Sequence, residues 1–124
     1  MSIEAKLGHS LDCFHIENMT FPNLAKDLVL HLWLPEDLPE NPKREDIRKE
    51  LLFRDVMHFS FNKDEDEETA FSILDPNIEE IEDGTELLKQ LGSFRYPDPI
   101  GKVTYCEIEG CATIRIVSRT CQVN

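Results

Sequence analysis

Apolar residues recur at every second position in most hydrophobic stretches of this chain, a period that predicts strands rather than helices. In "LDCFHIENMTF", Leu11 to Phe21, Phe14 and Ile16 share one face while Cys13, His15 and Glu17 share the other. "DLVLHLWL", Asp27 to Leu34, sets Leu28, Leu30, Leu32 and Leu34 against Val29, His31 and Trp33, the pattern of a central strand. Pro22 and Asn23 favour a turn between the two, which predicts a hairpin. Pro35, Pro39 and Pro42 then end the second strand.

Asn41 before Pro42, with Ile47 and Leu51 on one helical face, predicts a short helix over Lys43 to Glu50. "LLFRDVMHFSF", Leu51 to Phe61, returns to strand, but Phe53 and Val56 sit three apart, so a bulge is expected near Arg54 and Asp55. "TAFSIL", Thr69 to Leu74, predicts a short strand closed by Asp75 and Pro76. Asp83 and Glu86 have capping-box spacing ahead of Leu87, Leu88 and Leu91, and Gly92 is placed to stop that helix. Val103 to Val117 predicts a hairpin turning at Glu109 and Gly110, with Val103, Tyr105, Ala112, Ile114 and Ile116 on its inner face. Its other face would carry Thr104, Cys106, Ile108, Cys111, Thr113 and Arg115. The expectation is an α+β fold, a mostly antiparallel sheet of about six strands with one or two short helices, formed by residues 1–124 as a single domain.

Charge changes the picture. The chain of 124 residues carries 25 acids against 13 Lys and Arg, a net −12. That excludes nucleic acid and anionic membranes as expected partners. No apolar run approaches the roughly 20 residues of a membrane span, and residues 1–25 lack the basic start and apolar run of a signal peptide, so a cytoplasmic protein with reduced thiols is expected. Residues 62–86 hold eleven acids and one lysine, −10 of the total. Their "DEDEE" run lacks the glycine of a calcium loop. Dense like charge of this kind suits a solvated loop or a face that meets a basic protein.

Motifs for phosphate cradles, dinucleotides, zinc proteases and nucleophile elbows are absent. No cofactor is therefore expected. The candidate chemistry lies in His15, His31 and His58, one on each of three strands, with Cys13 two residues before His15. Were those strands to bring them together, they would supply zinc ligands or an acid–base pair. Cys106 and Cys111 flank a turn at C-x4-C spacing, and Asp12 with Asp55 is a candidate carboxylate pair.

The succession "GHSLDCFHIENMTF", "DLVLHLWL", "LLFRDVMHFSF", "FSILD" and "VTYCEIEGCATIRIV" resembles small bacterial β-rich domains that include immunity proteins of polymorphic toxin systems. His9, Asp12, Phe53 and Val56 fall at the positions that carry the likeness, although Ser10 and Leu11 separate a His and Asp that are adjacent in the pattern. The resemblance implies a stoichiometric, non-enzymatic inhibitor of a toxin and carries over no binding residue. The contact face for a basic toxin is then expected at Asp64, Glu65, Asp66, Glu67, Glu68, Glu79, Glu80 and Glu82. Two other readings stand beside it: an enzyme built on His15, His31 and His58, and a structural subunit that buries a strand edge or the Val29 and Trp33 face.

Overall fold

The computed structural model describes residues 11–34, 47–63, 71–93, 99–110 and 112–124. Six antiparallel strands close into a barrel: β1 (His15–Thr20), β2 (Leu28–Leu34), β3 (Ile47–Lys63), β4 (Phe71–Ile81), β5 (Val103–Gly110) and β6 (Ala112–Val123), neighbouring in the order β1-β2-β3-β6-β5-β4. Among the described residues a short helix, α1 (Thr85–Gln90), lies outside the sheet, a single helical turn (Pro22–Ala25) with left-handed Asn23 and Leu24 joins β1 to β2, and a 3-10 turn (Leu11–Cys13) precedes β1. The α+β, mostly antiparallel expectation therefore holds. Among the described residues no helix is long and apolar enough to cross a membrane.

Alternation fills the barrel. Leu28, Leu30, Leu32 and Leu34 are fully buried and meet Phe14, Ile16, Leu51, Phe53, Cys106, Ile108, Ile114 and Ile116 in one core. Each such side chain stabilises the fold by about 1.5–3 kcal/mol relative to an exposed one. A second core lies outside the sheet, where Met57, Val103, Tyr105 and Val117 meet Leu88 of α1 and Ile100. The helix needs that contact, because six residues are too few to hold a helix in water.

Several expectations are corrected. From Ile47 onward the proposed helix at Lys43 to Glu50 is strand, with residues 43–46 outside the described set; Ile47 pairs with Leu34 and Glu50 with His31, so the ladder wins over a local helix signal. The bulge falls between Val56 and His58, just past the proposed place, while Asp55 takes a left-handed φ of 54°. β4 does not stop at Pro76 but runs to Ile81, pairing with β5 throughout. Its other edge meets β1 only at Phe71 and Ser72, so Pro76, paired with Ile108 of β5, has no described strand on its other side.

The hairpin faces also differ from the expectation. Cys106 and Ile108 point into the barrel, across from Ile116 and Ile114, while Val103 and Tyr105 lie outside with Val117 under α1. Both faces are apolar because both are covered, and alternation alone does not say which one is the lumen. Asp83 does not cap α1 as a capping box; its Oδ1 accepts bonds from the Thr85 hydroxyl, the Thr85 N–H and the Gly101 N–H, and no side chain caps the helix start. Gly92, at φ 82°, ends the helix as expected.

Candidate functional site

One end of the barrel gathers the unusual features of the chain. A row of paired residues, Val56, Ser118, Thr104 and Glu80, crosses β3, β6, β5 and β4 there. Against this row folds the β1–β2 connection, where the Val56 N–H donates to the Lys26 carbonyl at 2.8 Å. Asn23, Leu24 and Ala25 in that connection all have φ near +60°, and Asp55 facing it does too. These are the only non-glycine residues with positive φ among those described, and all four belong to this mouth. Each costs roughly 1–2 kcal/mol in an L-residue, so the neighbouring structure must hold them in place.

Asp27 supplies that hold. Its buried carboxylate accepts the Asn23 side-chain amide at 2.7 Å and the Asp55 backbone N–H at 3.1 Å, tying the turn to the kink in β3. The Asp55 N–H, followed by the Asn23 amide, keeps the carboxyl below its ordinary range. Leu24 then projects wholly into solvent, and Phe21 is half exposed, its ring edge-on to Phe59 at 5.4 Å.

Beside the turn lies a depression of about 280 Å³ lined by Lys26, Asp55, Val56, Met57 and Arg119. Lys26 and Asp55 form an ion pair at 3.4 Å across it. Arg119 donates to the carbonyls of Ile100 and Lys102, fixing the chain that enters β5. Lys102 in turn pairs with Glu80 at 3.1 Å, and that carboxylate raises the lysine's affinity for its proton. The mouth thus runs from an apolar knob through a mixed-charge depression to an acidic edge.

The acidic candidates divide. Asp64, Glu65, Asp66, Glu67 and Glu68 lie outside the described residues. Glu79, Glu80 and Glu82 are exposed at the mouth end of β4, followed by exposed Asp83 and Glu86. Phe71, where β4 begins, is at the strand's opposite end, about 33 Å away at the usual rise per residue. Glu79 stands across from Tyr105 and Glu80 across from Thr104, so these two neighbours leave opposite faces of the strand.

The histidines do not converge. His15 lies beside the Trp33 ring with centroids 6.1 Å apart. His31 sits between the Thr20 hydroxyl, 3.1 Å from Nε2, and Glu50, 3.7 Å from Nδ1. His58 is elsewhere, its Nδ1 3.0 Å from the Ser93 hydroxyl past α1. The reason is topological: β2 leaves β3 at Phe53, so His58 continues alongside β6 instead. Cys13 packs toward the barrel core. Among the described residues no three His, Cys, Asp or Glu side chains are grouped to hold a metal. Cys106 is wholly buried and burial pushes its thiol pKa up, and Cys111, the other member of the C-x4-C spacing, lies outside the described residues. Asp55 faces Lys26, and Asp12 belongs to the 3-10 turn rather than to a strand.

A second polar cluster, which sequence reasoning missed, occupies the outer face of β5 and β6. The Tyr105 hydroxyl donates to Glu107 Oε2 at 2.6 Å and Arg115 Nε donates to the same oxygen at 3.1 Å. Burial, reinforced by Glu107, lifts the Tyr105 pKa to about 12, while the Tyr105 hydroxyl leads the causes that hold Glu107 low. The available signal was alternate residues of a hairpin carrying Tyr, Glu and Arg on one face. No family model matches the chain, and no curated protein matches it in sequence.

Proposed function

We infer that this chain is a non-enzymatic protein-binding domain that works by docking a basic protein on the mouth of its barrel, as an immunity-type inhibitor docks a toxin. The observation that carries the reading is Leu24: an apolar side chain fully in solvent, on a left-handed turn that Asp27 locks from beneath. An exposed leucine on a mobile loop needs no explanation, but one held on a strained, hydrogen-bonded turn is preorganised for contact. The acidic edge supplies the sign of the partner. Glu79, Glu82 and Glu86 form no ion pair among the described residues, and Glu80 stands three interstrand steps, about 14 Å, from Val56 along the row. A cytoplasmic, bacterial setting goes with this reading.

The test is affinity capture from the source cell with wild-type protein and with Glu79, Glu80 and Glu82 changed together to Ser. Loss of a basic partner, with association rates that fall as salt is raised, supports the reading. An unchanged partner profile removes the acidic edge from it. The exposed Phe21 and Leu24 also favour a second reading, in which the same turn buries itself against another copy of the chain. A monomeric mass in solution throughout the micromolar range dismisses that one.

A further inference from the structure

Away from the mouth, the link between β3 and the end of α1 has the construction of a switch. α1 is clamped by the fully buried Leu88 and by close approach of its leading residue: a Cβ on Gly84 would stand 2.7 Å from a Val103 methyl. Its C-terminus closes with Gly92 N–H on the Lys89 carbonyl and Ser93 N–H on the Leu88 carbonyl at 2.8 Å. The Ser93 side chain then reaches His58 Nδ1, the one side-chain hydrogen bond that joins this turn to the barrel among the described residues.

The other ring nitrogen, His58 Nε2, is buried and makes no hydrogen bond. A neutral ring with its proton on Nδ1 donates to the Ser93 hydroxyl and leaves only a lone pair at Nε2. An imidazolium must place an N–H there with no acceptor. The groups around it make that worse. Arg115 on β6 brings positive charge, and Glu107 on β5, the nearest carboxylate of that cluster, is already engaged by Tyr105 and Arg115. Glu79 on β4 lies beyond Tyr105, and Glu86 and Lys89 of α1 are exposed.

We propose that His58 is the catch of an acid-opened latch: while it is neutral, α1 and the Ser93 turn stay closed on the sheet, and its protonation releases them, baring Met57, Val103, Tyr105 and Val117. Burial first and Arg115 second lower the proton affinity of the closed state below the ordinary 6.5. The sign follows from linkage. The closed form binds fewer protons than the open one, so latch stability is complete above pH 6.5 and declines as pH falls from there through the closed-state pKa. Within that window the opening constant rises up to about tenfold for each pH unit lowered.

The experiment is amide hydrogen exchange by NMR on the whole chain from about pH 7.5 to about pH 5, corrected for intrinsic rates. The expected result is a loss of protection at Leu88, Leu91, Gly92 and Ser93 that approaches tenfold per unit, with Leu30 and Leu32 in the barrel unaffected. His58→Asn, whose amide can still donate to Ser93, should stay closed at both pH values. Ser93→Ala should be less protected at neutral pH and should raise the His58 pKa. Equal loss in wild type and His58→Asn, or a His58 that titrates while protection of Leu88 to Ser93 holds, overturns the latch. Docking at the mouth is read separately, by partner capture at neutral pH where the latch is closed, because Met57 lines the depression there and Glu86 rides on α1.

Discussion

At the mouth, Asp27 takes its hydrogen bonds from the Asn23 amide and a backbone N–H; under and beside α1, Glu107 takes its bonds from the side chains of Tyr105 and Arg115. The first carboxylate constrains backbone and leaves the side chains around it facing out. The second ties side chains to one another and leaves little to offer. One region therefore holds a shape that local propensity disfavours and presents Leu24, Lys26 and Glu80, while the other closes a surface. In the proposed reading, strain kept beside exposed groups serves recognition, and bonds among neighbours on a partly covered face serve stability.

The largest effect that sharpens this contrast is expected from Leu88→Ala. Removing a fully buried side chain from the outer core should cost about 2–5 kcal/mol in denaturant unfolding, or show as local detachment of α1, and leave docking at the mouth intact. Partner capture that fails in this variant while the barrel remains folded would break the separation of the two regions. Next comes Gly84→Ala. The added methyl meets the stiff, buried Val103, so a loss of about 1–3 kcal/mol is expected, confined to protection of α1.

How far the sequence could be read follows from which physics was local. The four leucines of β2 were legible because a strand with one face in a lumen must alternate, and nothing tertiary competes with that period. The outer hairpin misled because α1 covers its second face, so Val103 and Tyr105 are as apolar as the lumen residues they alternate with. Strand at Ile47 to Glu50 won over a helix pattern through pairing with β2 and with Asn124, partners far away in the chain. At the mouth, Pro22 and Asn23 announced a turn, but its left-handed course depends on Asp27 reaching Asp55, 28 positions on. Nor could composition show that Glu79, Glu80 and Glu82 gather where β4 ends, with Glu79 and Glu80 on opposite faces of the strand.

The smallest effect in stability carries the most information about function. Leu24→Gly relieves a left-handed leucine, which costs roughly 1–2 kcal/mol, and adds glycine's chain entropy of roughly 0.5–1 kcal/mol, so the variant should be as stable as wild type or up to about 1.5 kcal/mol more stable. A clear destabilisation would show that Leu24 packs on its own chain and is no exposed anchor.

The same variant gives the most direct test: the affinity of Leu24→Gly for the protein that wild type captures from its source cell. The account predicts binding at least tenfold weaker, about 1.4 kcal/mol, from a protein whose fold is undiminished. Affinity equal to wild type would contradict it, because the strained turn would then be holding out a side chain that nothing meets.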